Sequence, residues 1–284
     1  MSDQTRHASV LTVRCPDRIG IVSAVATFLS RRGLSIEESD QFHDRGDGAF
    51  YMRVAFAGPL SADAIRSEFA DLAEPFGMDW TLQTLGVKPR IVLAVSRHGH
   101  CLSDLLHRWK TGWLGAEIAA VVSNHDDWRA TCEWHGLPYH RLETGAQKAQ
   151  GEARILDVLS GTGSELLVLA RYMQVLSPEL VAQLTNRCIN IHHSFLPSFK
   201  GARPYHQAHA RGVKIIGATA HYVTRDLDEG PIIEQAVERV SHRDHPEALV
   251  EIGRDLECTV LARAVRWHVE RRVLLAGSRT VVFR

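Results

Sequence analysis

No apolar run in this sequence approaches the roughly 18 residues of a membrane span, and the opening "MSDQTRHASV" lacks the apolar core of a secretory leader. A soluble, cytoplasmic chain is therefore expected. Neither sign of charge is in excess: Lys+Arg and Asp+Glu stand at 33 each, and no block of like charge provides the basic surface that nucleic acid requires. The five cysteines, Cys15, Cys101, Cys132, Cys188 and Cys258, are scattered, odd in number and without CxxC spacing. That pattern excludes a disulfide framework and a cysteine zinc site. Sixteen histidines include no HxxxH or HExxH spacing on a clear helix, and the pair His98 and His100 is too little to predict a metal. What is present is ordinary globular material, 45% hydrophobic and 23% charged, in a chain of 284 residues. That is enough for one small core and one medium one.

The first 86 residues read as β-α-β-β-α-β. "ASVLTVRC" is a short strand, and Ile21, Val22, Val25, Phe28 and Leu29 mark a helical face that Gly33 ends. "LSIEESDQF" is a polar strand, whereas Phe50, Met52, Val54 and Phe56 alternate cleanly with their neighbours. Ile65, Phe69 and Leu72 share a second helical face before "MDWTLQTLG" closes the set. This order predicts a ferredoxin-like split βαβ domain, an antiparallel sheet with one face buried against two helices.

After the linker "VKPR", from residue 87 onward, the pattern changes. "IVLAVS", "EIAAVVSN" and "ELLVLA" are continuous apolar runs, as in parallel strands covered on both faces, and helical stretches alternate with them. A doubly wound, mostly parallel α/β domain over 87–284 follows. "KIIGATAHYV" and "PIIEQAVERV" predict two later strands, and the period Leu249, Ile252, Leu256, Val260 predicts a long helix over 246–269. Trp109, Trp113, Trp128 and Trp134 are read as packing anchors.

The chemistry concentrates at "RCINIHHSFLPSFKGARPYHQA", where a core strand ends in polar side chains and a proline turn. Open α/β sheets bind ligands at such carboxyl ends. Side chains two apart on a strand point the same way, so Asn190 and His192 converge while His193 points oppositely. An amide NH2 and an imidazole aimed together form an oxyanion site, and the imidazole can also carry a proton. A carboxylate from "VTRDLDEGP" would complete the set, with Asp226, Asp228 and Glu229 as candidates. Asn124 and His125 stand after another core strand, either at the cleft edge or capping their own loop.

"NIHHSFLPSFKGARPYHQA" together with "GATAHYVTRDLDEGPIIEQ" resembles the paired signature of folate-dependent formyl transferases and hydrolases. Carried over residue by residue, the resemblance implies Asn190, His192 and Asp228 as catalytic groups around a formyl carbonyl. "LARYMQVLSP" is similar to the segment lining the pterin pocket, implying folate contacts at Arg171, Tyr172, Met173 and Val175, with Val223, Thr224, Arg225, Asp226 and Leu227 offering backbone groups to the ring. "CPDRIGIVSAVATFLSRRGLSIEESDQ" resembles the opening of an ACT domain, a module that binds small amino acids and pairs between subunits. Gly20 and Ile21 are its implied effector site, since a glycine between strand and helix leaves backbone N–H groups for a carboxylate.

An ACT module ahead of a formyl transferase-like domain resembles the formyltetrahydrofolate deformylase family. The resemblance implies hydrolysis of 10-formyltetrahydrofolate to formate and tetrahydrofolate, supplying purine biosynthesis and balancing the one-carbon pool. Folate would be the substrate, with no separate cofactor and no metal, and identical chains would assemble through the ACT-like domain. The rival readings are a formyltransferase to an amine such as glycinamide ribonucleotide, and a non-catalytic folate or amino-acid sensor. "SRHGHCLSDLL" favours the hydrolase: it has one glycine where the transferases carry a Gly/Ser-rich phosphate loop, and His100 and Cys101 should fill that volume. Arg97 is the one group there able to hold a phosphate without such a loop.

Overall fold

Leu11, Val13 and Cys15 alternate into a core that Ile21, Val25, Phe28 and Leu29 cover from a helix. In the computed structural model, which describes residues 7–196 and 204–284, this is the first of two units. It runs β1 (His7–Pro16), α1 (Ile21–Arg31), β2 (Ser35–Asp44), β3 (Ala49–Gly58), α2 (Ala62–Ala73) and β4 (Asp79–Thr84). The strands pair antiparallel in the order β2-β3-β1-β4. Phe69 of α2 packs edge-on between Phe28 and Trp80, with centroids at 5.2 and 4.9 Å. Ser61 caps α2 by accepting from the Ala64 N–H.

The split βαβ pattern predicts burial on one sheet face, yet every residue of β3 is buried. Phe50, Met52, Val54 and Phe56 face the helices, while Ala49 and Tyr51 pack under Leu274, Ala276 and Phe283. Residues 271–276 and 281–284 thus fold with residues 7–88, and the second unit is drawn from 89–270 and 277–280. A division at 86/87 with all later residues in one domain is revised at both ends. Short apolar segments around a glycine turn carry no periodic signal that says which sheet face they cover.

The second unit begins with β5 (Arg90–Val95), α3 (His100–Lys110), β6 (Glu117–Ser123), α4 (Arg129–Trp134), β7 (Tyr139–Arg141), α5 (Lys148–Thr162) and β8 (Leu166–Leu169). It continues with α6 (Pro178–Gln183), β9 (Cys188–His192), α7 (Pro204–Ala210), β10 (Ile215–Tyr222), β11 (Ile232–Arg239) and α8 (Pro246–Val269). A ribbon of β12 (Val273–Ala276) and β13 (Arg279–Val282) ends the chain. The seven-stranded sheet has the order β11-β10-β9-β8-β5-β6-β7. It is parallel from β7 to β9, and β10 and β11 turn antiparallel at the edge. Order reverses at β5, which places a crevice beyond the carboxyl ends of β5, β8 and β9. The proline turn expected at residue 197 lies outside the described residues. Among those described, no helix is long and apolar enough to cross a membrane.

Candidate active site at the carboxyl ends of the central strands

Asn190 and His192 reach the crevice because β9 ends there with both on one face. Parallel pairing sets Leu169 opposite Asn190, and antiparallel pairing with β10 sets His221 opposite Asn190. Cross-strand partners share a face, so His221 joins the group. Asn190 Nδ2 lies 3.2 Å from His221 Nε2, and His221 Nδ1 donates to the Tyr222 carbonyl at 2.9 Å. Nδ1 is the donor to that carbonyl, so Nε2 is the nitrogen that faces both the Asn190 amide and the loop that follows β10. Sequence reasoning does not single out His221. It stands on the correct alternate of "ATAHYV", but only the strand register shows that it meets Asn190.

Of the three carboxylates in the following loop, the structure brings Asp228 into the site. Asp228 Oδ1 is 3.2 Å from His192 Nδ1 and 3.6 Å from His221 Nε2. Its backbone is left-handed, φ 59°, a strained choice outside glycine that surrounding contacts must impose. Gly230 is one such constraint: a Cβ there would lie 1.7 Å from the Tyr222 carbonyl oxygen, so the loop can close only with glycine. Burial pushes the Asp228 carboxyl up, yet the imidazoles of His192 and His221 outweigh it and hold the group well below the usual carboxylate range.

The other nitrogen of His192, Nε2, is buried without a hydrogen-bond partner among the described residues, in a ring that is itself buried. Asp228 orients the ring, and Nε2 is left for a ligand. His193 stacks on His192 with centroids 5.0 Å apart. Burial and then the charge of Arg171 pull His193 down to about 4, so it stays neutral.

A cleft of about 230 Å³ opens above these groups. Arg171, Tyr172, Met173 and Val175 line one side, and Val223, Thr224, Leu227 and Asp228 another. Arg225 and Asp226 are exposed and lie outside the lining. Ser96, at the end of β5, ties the first wall in place. Its N–H donates to the Arg171 carbonyl, its hydroxyl accepts from the Met173 N–H, and that hydroxyl donates to Asn124 Oδ1 at 2.7 Å. Asn124 therefore supports the wall without lining it, and His125 is tied through its backbone, its N–H donating to the Ser123 hydroxyl and its carbonyl accepting from the Tyr139 hydroxyl of β7.

Beyond His193 lies a second polar cluster. Glu257 of α8, 1% exposed, takes His100 Nε2 at 2.7 Å and the Tyr205 hydroxyl at 2.9 Å, with Arg171 Nε at 3.5 Å. Burial pushes the Glu257 carboxyl up, but His100 and Arg171 hold it below its ordinary range. Cys101 sits beside them, and a hydrogen bond with Cys258, then burial, drives its thiol well above normal. His100, Cys101 and Glu257 are close enough to surround a cation. Their chemistry does not fit one: the carboxylate is committed to donors, the thiol resists ionisation, and a guanidinium stands alongside. After β5, His100 is bound to Glu257, Cys101 is buried, and the Arg97 carbonyl accepts from Trp128 Nε1. Trp134, at 80% exposure, is no packing anchor.

In the first unit, Gly20 sits between β1 and α1 with φ 98°, and Ile21 is buried beneath the helix start.

The formyl transferase family model matches residues 89–265, and the ACT domain model matches 9–74. A formyltetrahydrofolate deformylase of Corynebacterium sp. (strain P-1) is 53% identical with both chains wholly covered. The crystal structure of a formyltetrahydrofolate deformylase from Burkholderia mallei, 54% identical, superposes with a TM-score of 0.93 over 98% of this chain and 100% of that one. Glycinamide ribonucleotide transformylase 1 from Symbiobacterium toebii, 29% identical, covers 72% of this chain and 98% of its own, with a TM-score of 0.66. The transformylase thus shares less of the chain than the deformylases, whose likeness runs through both units. With its ACT module, its formyl transferase fold and its Asn-His-Asp site, the chain belongs to the formyltetrahydrofolate deformylase family.

Proposed function

We propose that this chain hydrolyses 10-formyltetrahydrofolate to formate and tetrahydrofolate at the Asn190, His192 and Asp228 cluster. The buried, unpartnered Nε2 of His192, oriented through Nδ1 by Asp228 and set beside the Asn190 amide, is the observation that carries this reading. The pterin would lie between the 171–176 segment and the backbone of 223–227. Water bonds to the formyl carbon, the C–N10 bond breaks, and the proton that water loses ends on N10. The oxyanion formed in between takes hydrogen bonds from Asn190 Nδ2 and from a proton carried on His192 Nε2, with the Asp228 carboxylate set at Nδ1 on the far side of the ring. Folate is the substrate, and no separate cofactor enters. Formate released this way would supply purine biosynthesis and balance the one-carbon pool.

The test supplies 10-formyltetrahydrofolate with and without glycinamide ribonucleotide and follows formate and formylated amine separately. Stoichiometric formate is expected in both mixtures. Formate in traces beside abundant formylated amine would make the chain a transferase instead.

For the first unit the same reading is regulatory. A small amino acid binding at the Gly20 turn shifts activity only if it binds the more and less active states differently. β2 is an edge strand with Ile36 and Phe42 exposed, a surface suited to pairing with a second copy of the chain. A valine is strained at the φ of Gly20, so Gly20→Val should abolish an amino-acid response while lowering basal turnover less. A screen of the common amino acids that detects neither binding nor a rate change would leave the module a role in assembly alone.

A further inference from the structure

Arg171 is braced from several elements to an extent that lining a pterin pocket does not require. Its backbone is left-handed, φ 65°, in a region where arginine is strained, and its carbonyl is pinned by the Ser96 N–H. The guanidinium stands beside the Glu257 carboxylate, whose two oxygens are themselves held by His100 and Tyr205. Helix α8 makes room for that tyrosine: a Cβ on Gly253 would fall 2.1 Å from the Tyr205 hydroxyl. Even so, Nε and Nη1 of Arg171 are buried with no hydrogen-bond partner among the described residues. Arg171 and His192 line the same cleft.

We infer that Arg171, held by Glu257, selects water over amines as the formyl acceptor. The selection follows from a count of lone pairs, and it rests on the hydrolase reading above. A water oxygen has two, so it can accept from the guanidinium with one and attack the formyl carbon with the other. A neutral primary amine has one, and once that pair accepts from Arg171 nothing remains for attack. A protonated amine is repelled by the cation. The wall thus acts by penalising the wrong acceptor as well as by orienting the right one. Arg171 is here a specificity-determining residue and Glu257 a positioning residue.

The experiment measures a partition ratio, which does not depend on how much active enzyme is present. Wild-type and variant chains receive 10-formyltetrahydrofolate and glycinamide at a pH where much of the amine is uncharged. Formate and N-formylglycinamide are quantified against a blank without enzyme. In aminolysis the amine nitrogen bonds to the formyl carbon, the C–N10 bond breaks, and the amine proton ends on N10. The wild type should yield formate with no formylated amine above the blank. Arg171→Gly/Glu257→Gln removes the cation without stranding a buried carboxylate, and glycine adopts this φ without strain. That variant should raise the ratio of formylated amine to formate by at least about tenfold, the scale of a lost pocket contact. Arg171→Lys, which keeps a cation, should stay at the wild-type ratio. Amine formylation by the wild type would overturn the inference, as would an unchanged ratio in a double variant that melts cooperatively and still binds folate. A wild type that releases no formate would overturn the hydrolase reading itself.

Discussion

Asn190→Ala, His192→Ala and Asp228→Asn are each expected to lower turnover by about 100- to 1000-fold, the usual consequence of losing one preorganised group at a developing oxyanion. The side chains act on one atom through one hydrogen-bonded set, so their effects should not multiply, and a double variant should lose little more than the worse single one. Folate affinity should change far less, because most of the cleft wall comes from residues 171–176 and 223–227. Steady-state kinetics with a folate titration checks this. A variant at any of the three positions with near wild-type turnover would remove that residue from the mechanism. The Asp228 carboxylate also links the site to pH. Its folded pKa lies below its unfolded value, so its contribution to stability is fully present above roughly pH 4 and is lost as pH falls through the depressed folded value. Asp228→Asn should therefore flatten the acid side of the stability profile, and an unchanged acid limb would show that the pairing with His192 does not contribute to it.

Gly230→Ala carries the second large effect. A methyl group there meets the Tyr222 carbonyl oxygen at 1.7 Å, and that oxygen belongs to backbone which no rotamer change can move aside. Adjustment must pass into the loop carrying Asp228 two residues before, whose left-handed backbone is already strained. The variant should lose at least about 2 kcal/mol, a fall of roughly 4–8 °C in melting midpoint. Turnover should fall with it, because an error of about 1 Å in a catalytic group can cost on the order of 100-fold. Thermal denaturation and kcat together decide the matter: loss of stability alone would separate the turn from the catalytic geometry, and no change in either would show that the loop closes differently.

The local order of elements is legible in the sequence because periodicity is a short-range property. Alternation at Phe50 to Phe56, the helical spacing from Leu249 to Val260 and the continuous runs of the parallel strands each report burial within a few residues of themselves. Asn190 and His192 are legible for the same reason: two residues apart on one strand, they share a face whatever lies beyond it. Three other decisions are tertiary. The choice of Asp228 over Asp226 and Glu229 depends on the closure of a loop around Gly230, and all three carboxylates have the same local chemistry. His221 enters through the register of β9 against β10, a pairing across 31 residues that no window on the sequence contains. Arg171 and Glu257 lie far apart in the chain, His100 is more distant still, and residues 271–276 and 281–284 contribute side chains to the first unit from the opposite end of the chain. Sequence by itself determined which side chains share a face and which chemistry they could perform. The meeting of those faces was decided by the packing of distant elements, because a carboxylate or guanidinium becomes a partner, a brace or a selector only once burial replaces water with a few fixed neighbours.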